Sequence, residues 1–473
     1  MKDRLYKEFP IAFFDTKCRK KVRMNTQNPG KINMYVCGPT VYDYIHIGNA
    51  RVVIFFNFLA NLFEFLGYSV HAVSNYTDID DRMIQRSRQS SLSVLDLGTK
   101  FINAFEKDIK CLRINDTFKR VRATDYIPEI INFVKKLCDS GFAYEKNGSV
   151  YFSVKKDNNY GSLSHIVEDN LQDGVRITIR DEKDSLKDFA LWKANTGEDE
   201  SWSSPWGQGR PGWHIECSTM ISKEFGDNVT LDIHGGGEDL IFPHHEDEAA
   251  QFRARNGQEI SEYWIHTKFL LMNGEKMSKS KGNFLTLRDA LKNFDSSTIK
   301  AFFLREYFQK SINFSEQVLN EIAITNKKAG DTLFKAYQIL ERQSDMTKQE
   351  FVKQFPEFLR ELTDGIRTPN AFDILYAQIR RVNKGIANEK EDRISLNNEV
   401  GGLEFMLRIL TLDELIPNFN FTLDKDIKRL IIERNRFRST QQYDKADRIR
   451  RFLQRIGIGI EDSSYKRSYW YYL

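Results

Sequence analysis

Over the first 80 residues, short apolar runs alternate with a longer amphipathic stretch. The run 33–37 predicts a buried strand, residues 38–40 (Gly-Pro-Thr) predict a turn, and the helix that follows should end at Gly67. A second apolar run, 68–74, predicts another strand. Because strand, helix and strand in this order favour a right-handed parallel crossover, the pattern indicates a doubly wound α/β domain. Ligands should gather at the carboxyl ends of its strands.

The longest apolar stretch, 52–70, predicts a buried amphipathic helix rather than a membrane span. Asn57, Asn61 and Glu64 interrupt it at spacings of four and three and so form one polar stripe. Residues 1–8 mix both charge signs and lack the apolar stretch of a secretory signal. The five cysteines are scattered and odd in number, which favours free thiols in a reducing compartment. We therefore expect a cytoplasmic protein that does not enter the membrane.

The rest of the chain changes character several times. The charge-rich residues from about 84 to 141 predict helices. A stretch rich in Gly, Ser and Asp at about 148–209 indicates an insertion, and the motif-rich residues 210–283 should complete the sheet domain. Amphipathic segments at 317–342 and 371–386 predict a helix bundle. The expected architecture is a Rossmann-like catalytic domain with an insertion, then an α-helical bundle and a small basic C-terminal domain. The predicted divisions are 1–125 (sheet domain, first half), 126–209 (connective insertion), 210–265 (sheet domain, second half), 266–315 (the segment that follows the sheet domain), 316–420 (helical bundle) and 421–473 (basic C-terminal domain).

Composition and charge add a partner to this picture. With 41% hydrophobic and 29% charged residues, the 473-residue chain has the composition of a soluble, multidomain protein. Residues 425–473 hold 13 Lys and Arg against six Asp and Glu, a net charge of +7, so the other 424 residues carry −3 of the total +4. A basic end on a nearly neutral body suggests a polyanion such as a phosphate backbone. A solvated charged helix without a partner is the alternative.

The tetrapeptide His46-Ile47-Gly48-Asn49 lies where the first predicted loop passes into the first helix. A helix N-terminus presents free N–H groups and the positive end of the helix dipole, so it favours phosphate. Histidine there can donate to phosphate oxygens, and glycine lets a base or ribose approach the backbone. A packed turn histidine is the alternative for this motif alone.

A second motif, Lys276-Met277-Ser278-Lys279-Ser280, is followed by Lys281-Gly282-Asn283. Two lysines three residues apart among small hydroxyl residues predict a loop that brings positive charge onto a leaving pyrophosphate. A solvated basic loop is the alternative. Taken together and in this order, the two motifs resemble the signature pair of class I aminoacyl-tRNA synthetases.

Four side chains from three separated segments form a third constellation: Cys37, Cys217, His244 and Glu248. Thiolate, imidazole and carboxylate groups can together hold Zn²⁺. Zinc binds thiolate strongly and a serine hydroxyl poorly, so a metal here would distinguish cysteine from serine without an editing step. His214, His234 and His245 are also near in sequence and leave the ligand set open. Buried apolar thiols are the plain alternative for Cys37 and Cys217.

Four longer sequence runs indicate which family of class I synthetases the chain resembles. Residues 34–43, 77–81, 210–217 and 234–248 are similar to cysteinyl-tRNA synthetases, most sharply across the sheet domain. The resemblance implies Cys37, Cys217, His244 and Glu248 as zinc ligands. It implies the following cysteine-site residues: Gly38, Thr77, Trp213 and His234. It implies the following residues around ATP: Gly38, Thr40, His46, Gly48, Asn49, Asp239 and Lys279. The implied catalytic residues are His46, Asn49, Lys276 and Lys279, with Asn49 departing from the histidine of the general class signature.

The resemblance also implies roles for the predicted divisions: residues 1–125 and 210–265 would form the two halves of the catalytic domain, residues 266–315 would hold the signature loop and the tRNA stem contact, and residues 421–473 would bind the anticodon. It further implies an activity. Such a protein activates L-cysteine with ATP to cysteinyl-adenylate and transfers it to the 3′ end of tRNA-Cys, with one Zn²⁺ per chain and Mg²⁺ accompanying ATP. We expect a monomer. Two alternatives stay open from the residues: a cysteine-activating ligase acting on a small amine acceptor, and a non-catalytic zinc-dependent RNA-binding relative. The aromatic tail 469–472 would either stack on anticodon bases or cap a small core.

Overall fold

The computed structural model describes residues 4–114, 117–166, 183–197, 200–277, 284–388, 392–418, 421–462 and 468–472. The chain divides into two compact units. One comprises 1–296, 306–315 and 363–366, and the other comprises 297–305, 316–362 and 367–473. No helix in the described ranges has the length and hydropathy needed to span a bilayer.

The strands of the described residues are β1 (Ala12–Asp15), β2 (Lys20–Arg23), β3 (Lys31–Val36), β4 (Ser69–Tyr76), β5 (Phe118–Arg122), β6 (Ala143–Lys146), β7 (Ser149–Phe152), β8 (Phe189–Ala194), β9 (Trp202–Ser204), β10 (Gly207–Pro211), β11 (Leu231–Gly237), β12 (Ser261–Thr267), β13 (Leu270–Met272), β14 (Glu275–Lys276), β15 (Ile312–Asn313), β16 (Ile458–Asp462) and β17 (Ser468–Tyr472). The α-helices are α1 (Ile47–Phe65), α2 (Asp81–Ser90), α3 (Val94–Cys111), α4 (Ile127–Asp139), α5 (Trp213–Phe225), α6 (Glu246–Asn256), α7 (Leu287–Asn293), α8 (Ser296–Leu304), α9 (Glu316–Leu340), α10 (Lys348–Gln354), α11 (Pro356–Thr363), α12 (Thr368–Ala387), α13 (Arg393–Ile409), α14 (Phe421–Ser439) and α15 (Tyr443–Arg455).

A five-stranded sheet in the order β12-β11-β3-β4-β5 forms the centre of the first unit, and every neighbouring pair is parallel. Its middle strand is apolar because both faces are covered: Met34 and Tyr35 are fully buried. Helix α1 packs closely on the sheet, since a Cβ on Gly235 would lie 2.2 Å from the Phe56 ring. The α/β class predicted from the first 80 residues is confirmed.

The edge strand β5 was missed by the sequence pattern. Residues 84–141 were expected to be helical, yet β5 pairs in parallel with β4 between α3 and α4. Of its five residues, only Val121 is buried. An edge strand exposes most of its side chains, so its charged sequence carries little strand signal.

A second sheet follows in the residues predicted as an insertion. It is antiparallel, in the order β6-β7-β8-β10-β9. Its core combines helix and sheet side chains, including Phe133 from α4 and Phe152 and Trp192 from the strands. The first unit therefore contains one parallel and one antiparallel five-stranded sheet.

The second unit is largely helical. A buried hydroxyl-carboxylate pair joins α9 to α13, with Tyr337 Oη donating to Glu404 Oε1 at 2.7 Å. The aromatic tail forms β17, which pairs antiparallel with β16. Trp470 is 2% exposed, contacts Phe334 with ring centroids 4.8 Å apart, and its carbonyl accepts from Gln338 Nε2 at 2.7 Å. This part of the tail therefore caps a small core, one of the two expected roles.

Candidate active site and metal centre

The N-terminus of α1 is formed by the first signature motif. His46 is the N-cap, and its Nδ1 accepts from the Asn49 N–H at 3.2 Å while Asn49 Oδ1 accepts from the His46 N–H at 3.2 Å. This reciprocal pair is a capping box. Asparagine at position 49 thus has a structural role that explains how this helix start tolerates the departure from histidine.

The segment after the lysine motif pairs with the same helix start. The Ile47 N–H donates to the Leu285 carbonyl at 2.9 Å, and the Leu287 N–H donates to the Ile45 carbonyl at 3.0 Å. The two motifs, distant in sequence, therefore lie together. Lys279 and its neighbours 278–283 lie outside the described residues.

Lys276, at the end of β14, faces the carboxyl end of β11. Its Nζ is 3.8 Å from Asp239 Oδ2 and 4.0 Å from the centre of the Phe269 ring. Both charged side chains are about half exposed. Because both groups stay accessible, their pairing is weak. The lysine can bind a phosphate in its place, and the carboxylate can bind the counter-ion of that phosphate.

The turn after β3 is fastened to the end of β4. The Gly38 N–H donates to Asn75 Oδ1 at 2.9 Å, and a Cβ on Gly38 would lie 1.7 Å from the Asn75 carbonyl oxygen, so only glycine fits. The Val41 N–H donates to the Thr77 carbonyl at 3.1 Å, and the Thr77 N–H donates to the Pro39 carbonyl at 3.2 Å. Sequence reasoning missed Asn75, although an amide inside an apolar strand was an available signal.

The four predicted metal ligands converge below this turn. Cys37 Sγ lies 3.6 Å from Cys217 Sγ and 3.5 Å from Glu248 Oε1. His244 Nε2 lies 3.6 Å from Cys217 Sγ and 2.9 Å from Glu248 Oε1. All four side chains are buried, and their ligand atoms lie within 4.8 Å of one another.

These distances can be compared with a tetrahedral zinc site. Bonds of about 2.3 Å to sulfur and about 2.0–2.1 Å to nitrogen or oxygen give edges of about 3.8 Å between sulfurs, about 3.5 Å from sulfur to nitrogen or oxygen, and about 3.4 Å from nitrogen to oxygen. Three of the four measured separations agree within a few tenths of an ångström, and the His244–Glu248 separation is shorter. The donor set and its spacing fit a four-coordinate metal.

The pKa shifts within the cluster also favour a bound cation. Burial opposes ionisation of Glu248, yet His244 and His234 hold its pKa at about 2. Burial also opposes protonation of His244, yet Glu248 and Cys217 raise its pKa to about 10. Burial and the neighbouring Cys217 raise the pKa of Cys37 well above the usual thiol value. Glu248 and Cys217 thus favour a positive charge beside them, which a proton on His244 supplies and which a metal cation would supply in its place.

A second group of possible ligands overlaps the first and consists of Cys37, His234, His245 and Glu248. His234 Nε2 lies 2.8 Å from Glu248 Oε2, and its ring stacks on Trp264 with centroids 4.6 Å apart. His214 belongs to neither group, and its Nδ1 lies 3.0 Å from His244 Nδ1. The first group is favoured because it includes both buried thiols, and His234 then orients Glu248 through the second carboxylate oxygen.

A cleft lies above the cluster, next to α1. The predicted residues that line it are Cys37, Gly38, Thr40, His46, Asn49, Thr77, Trp213, Asp239 and His244. The predicted residues that do not line it are Gly48, Cys217, His234, Glu248 and Lys276. His234, which was expected at the cysteine site, contacts Glu248 and neighbouring aromatic rings.

One wall of the cleft is aromatic. The Trp213 ring stacks on His244 with centroids 4.3 Å apart and an interplanar angle of 25°. The Arg82 guanidinium lies 5.7 Å from Trp213 and 5.8 Å from Tyr42, and also lines the cleft. Arg82 and Tyr42 were missed because a single arginine or tyrosine has no distinctive sequence context. This wall therefore adds a cation, Arg82, to the side of the cleft next to the four predicted metal ligands.

Comparisons with known proteins bear on these features. Residues 23–324 match the family model for the class I tRNA synthetase (C) catalytic domain. The chain is 39% identical over 457 residues to a cysteine–tRNA ligase of Streptococcus agalactiae serotype III (strain NEM316), covering 96% of this chain and 98% of the relative. It is 38% identical over the same length to that of the serotype V strain ATCC BAA-611 / 2603 V/R.

Two solved structures share the fold at low sequence identity. Methionyl-tRNA synthetase of Mycobacterium tuberculosis in complex with methionyl-adenylate superposes with a TM-score of 0.61 and 13% identity, over 84% of this chain and 93% of that chain. A putative arginyl-tRNA synthetase of Campylobacter jejuni superposes with a TM-score of 0.54 and 14% identity, over 84% and 95%. These likenesses support the architecture alone.

Proposed function

Since this chain belongs to the cysteinyl-tRNA synthetase family of class I aminoacyl-tRNA synthetases, and is thus an ATP-dependent cysteine–tRNA ligase, we propose that it selects cysteine at a zinc ion held by Cys37, Cys217, His244 and Glu248. The convergence of these four buried side chains carries the proposal. The relatives match 96% of the chain, so neither a small-amine ligase nor a non-catalytic relative is favoured.

Zinc would supply a Lewis acid that binds the substrate thiolate and discriminates against a hydroxyl. Neighbouring side chains position the ligands. His234 and His244 fix the Glu248 carboxylate, and Trp213 closes one side of the cleft beside His244. Gly38 and Thr77 lie at the neighbouring strand ends, where the substrate amino and carboxyl groups would reach the backbone.

ATP would bind at the start of α1. The positive end of the helix dipole favours phosphate, and His46 lies there as N-cap. Gly48 and Asn49 complete this turn, with Thr40 and Asp239 on the remaining walls. Lys276 and Lys279 would neutralise the phosphates together with a Mg²⁺ that accompanies ATP.

The reaction has two steps. A cysteine carboxylate oxygen attacks the α-phosphorus of ATP, so a new P–O bond forms and pyrophosphate leaves. A ribose hydroxyl at the 3′ end of tRNA-Cys then attacks the adenylate carbonyl, forms the ester, gives up its proton and releases AMP. Little covalent chemistry falls to the protein, so the rate depends on positioning and on positive charge at the phosphates.

The remaining organisation is part of the same proposal. The six divisions predicted from the sequence would serve as two catalytic halves around a connective insertion, a signature-loop region, a helical bundle and a basic anticodon-binding domain. The net charge of +7 over residues 425–473 supports a tRNA contact there. A cytoplasmic monomer is the expected working form.

Replacing a signature lysine tests the chemistry. We expect Lys279→Ala to slow cysteine-dependent pyrophosphate exchange about 10²- to 10³-fold, because one charge is lost at the developing pyrophosphate. Cysteine binding should stay at the wild-type level. Lys292→Ala is the control, since Lys292 is an exposed lysine paired with Asp289 on α7. Exchange at the wild-type rate in Lys279→Ala would remove this lysine from its role.

A further inference from the structure

Arg51 is a buried arginine on α1, one turn beyond the His46 motif, and is 2% exposed. Its guanidinium donates to five backbone carbonyls in two segments of the chain. The acceptors are Lys268, Phe269 at 3.1 Å, Tyr307 at 3.2 Å, Phe308 at 3.5 Å and Lys310 at 2.7 Å. One segment directly precedes β13 and the other directly precedes β15, and these strands pair in parallel. Arg51 therefore fastens the starts of both strands to α1.

The guanidinium is charged at neutral pH. Burial lowers the pKa of Arg51 to about 10, and Glu238 and Glu306 oppose that shift. A buried cation is costly unless its N–H groups are satisfied. Because Arg51 donates to five carbonyls, residues 268–269 and 307–310 are held in one defined geometry relative to α1.

Glu238 holds the same segment from the other side. It follows β11, and its Oε1 accepts from the Phe269 N–H at 2.8 Å while its Oε2 accepts from Lys268 Nζ at 2.7 Å. The Glu238 side chain is 15% exposed. Residues 268 and 269 are thus held through their carbonyls by Arg51 and through an amide and an ammonium group by Glu238.

The held segment leads directly into the signature region. Strand β13 pairs antiparallel with β14, and Leu271 lies opposite Lys276. Lys276 Nζ in turn lies 3.8 Å from Asp239, the neighbour of Glu238. A shift of residues 268–269 would therefore move Lys276 relative to the carboxyl end of β11.

We propose that Arg51 and Glu238 are positioning residues for the ATP step, holding the β13–β14 hairpin so that Lys276 faces the ATP phosphates beside Asp239. The inference rests on the proposed function, which assigns Lys276 and Asp239 to the ATP site. It adds two residues, neither of which was identified from the signature motifs. Both act through Lys276 and touch no substrate.

The first test replaces Glu238 with alanine. We expect kcat/KM for ATP in cysteine-dependent pyrophosphate exchange to fall about 10- to 100-fold, because a small displacement of a charged group is amplified in the rate. The Kd for cysteine should not change. Glu224→Ala is the matched control: Glu224 is similarly buried, accepts from Lys119 Nζ at 2.6 Å and from Tyr126 Oη at 2.5 Å, and does not line the cleft. An equal loss of exchange in both variants, tracking their Tm, would overturn the inference.

A double variant tests whether Glu238 works through Lys276. If it does, Glu238→Ala/Lys276→Ala should be no slower than Lys276→Ala, because coupled residues are non-additive. Multiplied losses would overturn the proposal. Arg51→Lys keeps the charge but replaces the planar five-donor group with a compact ammonium, so it should reproduce the loss for ATP with unchanged cysteine binding. Wild-type exchange in Arg51→Lys would remove Arg51 from this role.

Two outcomes distinguish a failure of the proposed function from a failure of the positioning role. A wild-type protein without cysteine-dependent exchange would defeat the proposed function. An active wild-type protein whose Glu238→Ala variant exchanges at the same rate would defeat this inference alone.

Discussion

The proposed metal centre is tested most directly at Cys37, which directly follows β3. Its thiol contacts Cys217 Sγ at 3.6 Å and Glu248 Oε1 at 3.5 Å, and the residue is buried at the base of the cleft. Cys37→Ser changes one atom, keeps the backbone, and replaces an ionisable thiol with a hydroxyl that stays protonated at neutral pH. One ligand of four should therefore lose most of its affinity for zinc.

The size of the loss follows from the ligand count. Structural zinc sites bind with about 10–16 kcal/mol, so one of four ligands accounts for about 2.5–4 kcal/mol. Since each 1.4 kcal/mol is tenfold, zinc affinity should fall roughly 10²- to 10³-fold. This share is an upper value if water replaces the lost ligand.

The assay is a chelator competition on purified protein, with bound zinc measured by atomic absorption. Cys138→Ser is the control, because Cys138 is a half-buried thiol beside the core of the second sheet and belongs to neither ligand group. It should keep the wild-type affinity. Cysteine and serine binding are then compared in each metal-loaded protein.

Two results would refute the reasoning. Unchanged zinc affinity in Cys37→Ser would show that the metal lies elsewhere, for example on a set without this thiol. Weakened zinc with undiminished preference for cysteine over serine would separate the metal from substrate selection. Neither result is compatible with the site as argued.

Two further predictions concern stability. Asn75→Ala should lower the free energy of unfolding by about 1–3 kcal/mol in urea titration, because the half-buried Gly38 amide loses its acceptor and the buried Asn75 side chain is removed; unchanged stability would contradict a stabilising role for this hydrogen bond. The Arg434 guanidinium, through hydrogen bonds to Asp462, holds the pKa of that carboxyl well below its usual range. The pair therefore stabilises the C-terminal hairpin above the unfolded pKa of about 3.9 and loses this effect as pH falls toward the folded value. Trp470 fluorescence during acid titration should show that wild type loses its advantage over Asp462→Asn in that window; a constant difference would contradict it.

Much of the first unit was predictable because its signals are local. An apolar strand, a glycine turn and a capped helix each depend on residues a few positions apart, so 33–49 could be interpreted from sequence periodicity and capping. The edge strand β5 and the hairpin β16–β17 were not predicted, because their stability comes from partners elsewhere in the chain.

The same distinction applies to the site. By itself, the sequence determined which chemical groups were available: two thiols, several histidines, a carboxylate and the signature motifs, with a family resemblance to order them. Only the tertiary structure decided which of them meet. Cys37 and Glu248 are 211 positions apart, and parallel strands β3 and β11 with helix α6 bring them to 3.5 Å. The role proposed for Arg51 and Glu238 also depends on the tertiary structure, because both side chains bind backbone groups of a distant segment. Every residue has such backbone groups, so the sequence does not indicate which of them a side chain will meet.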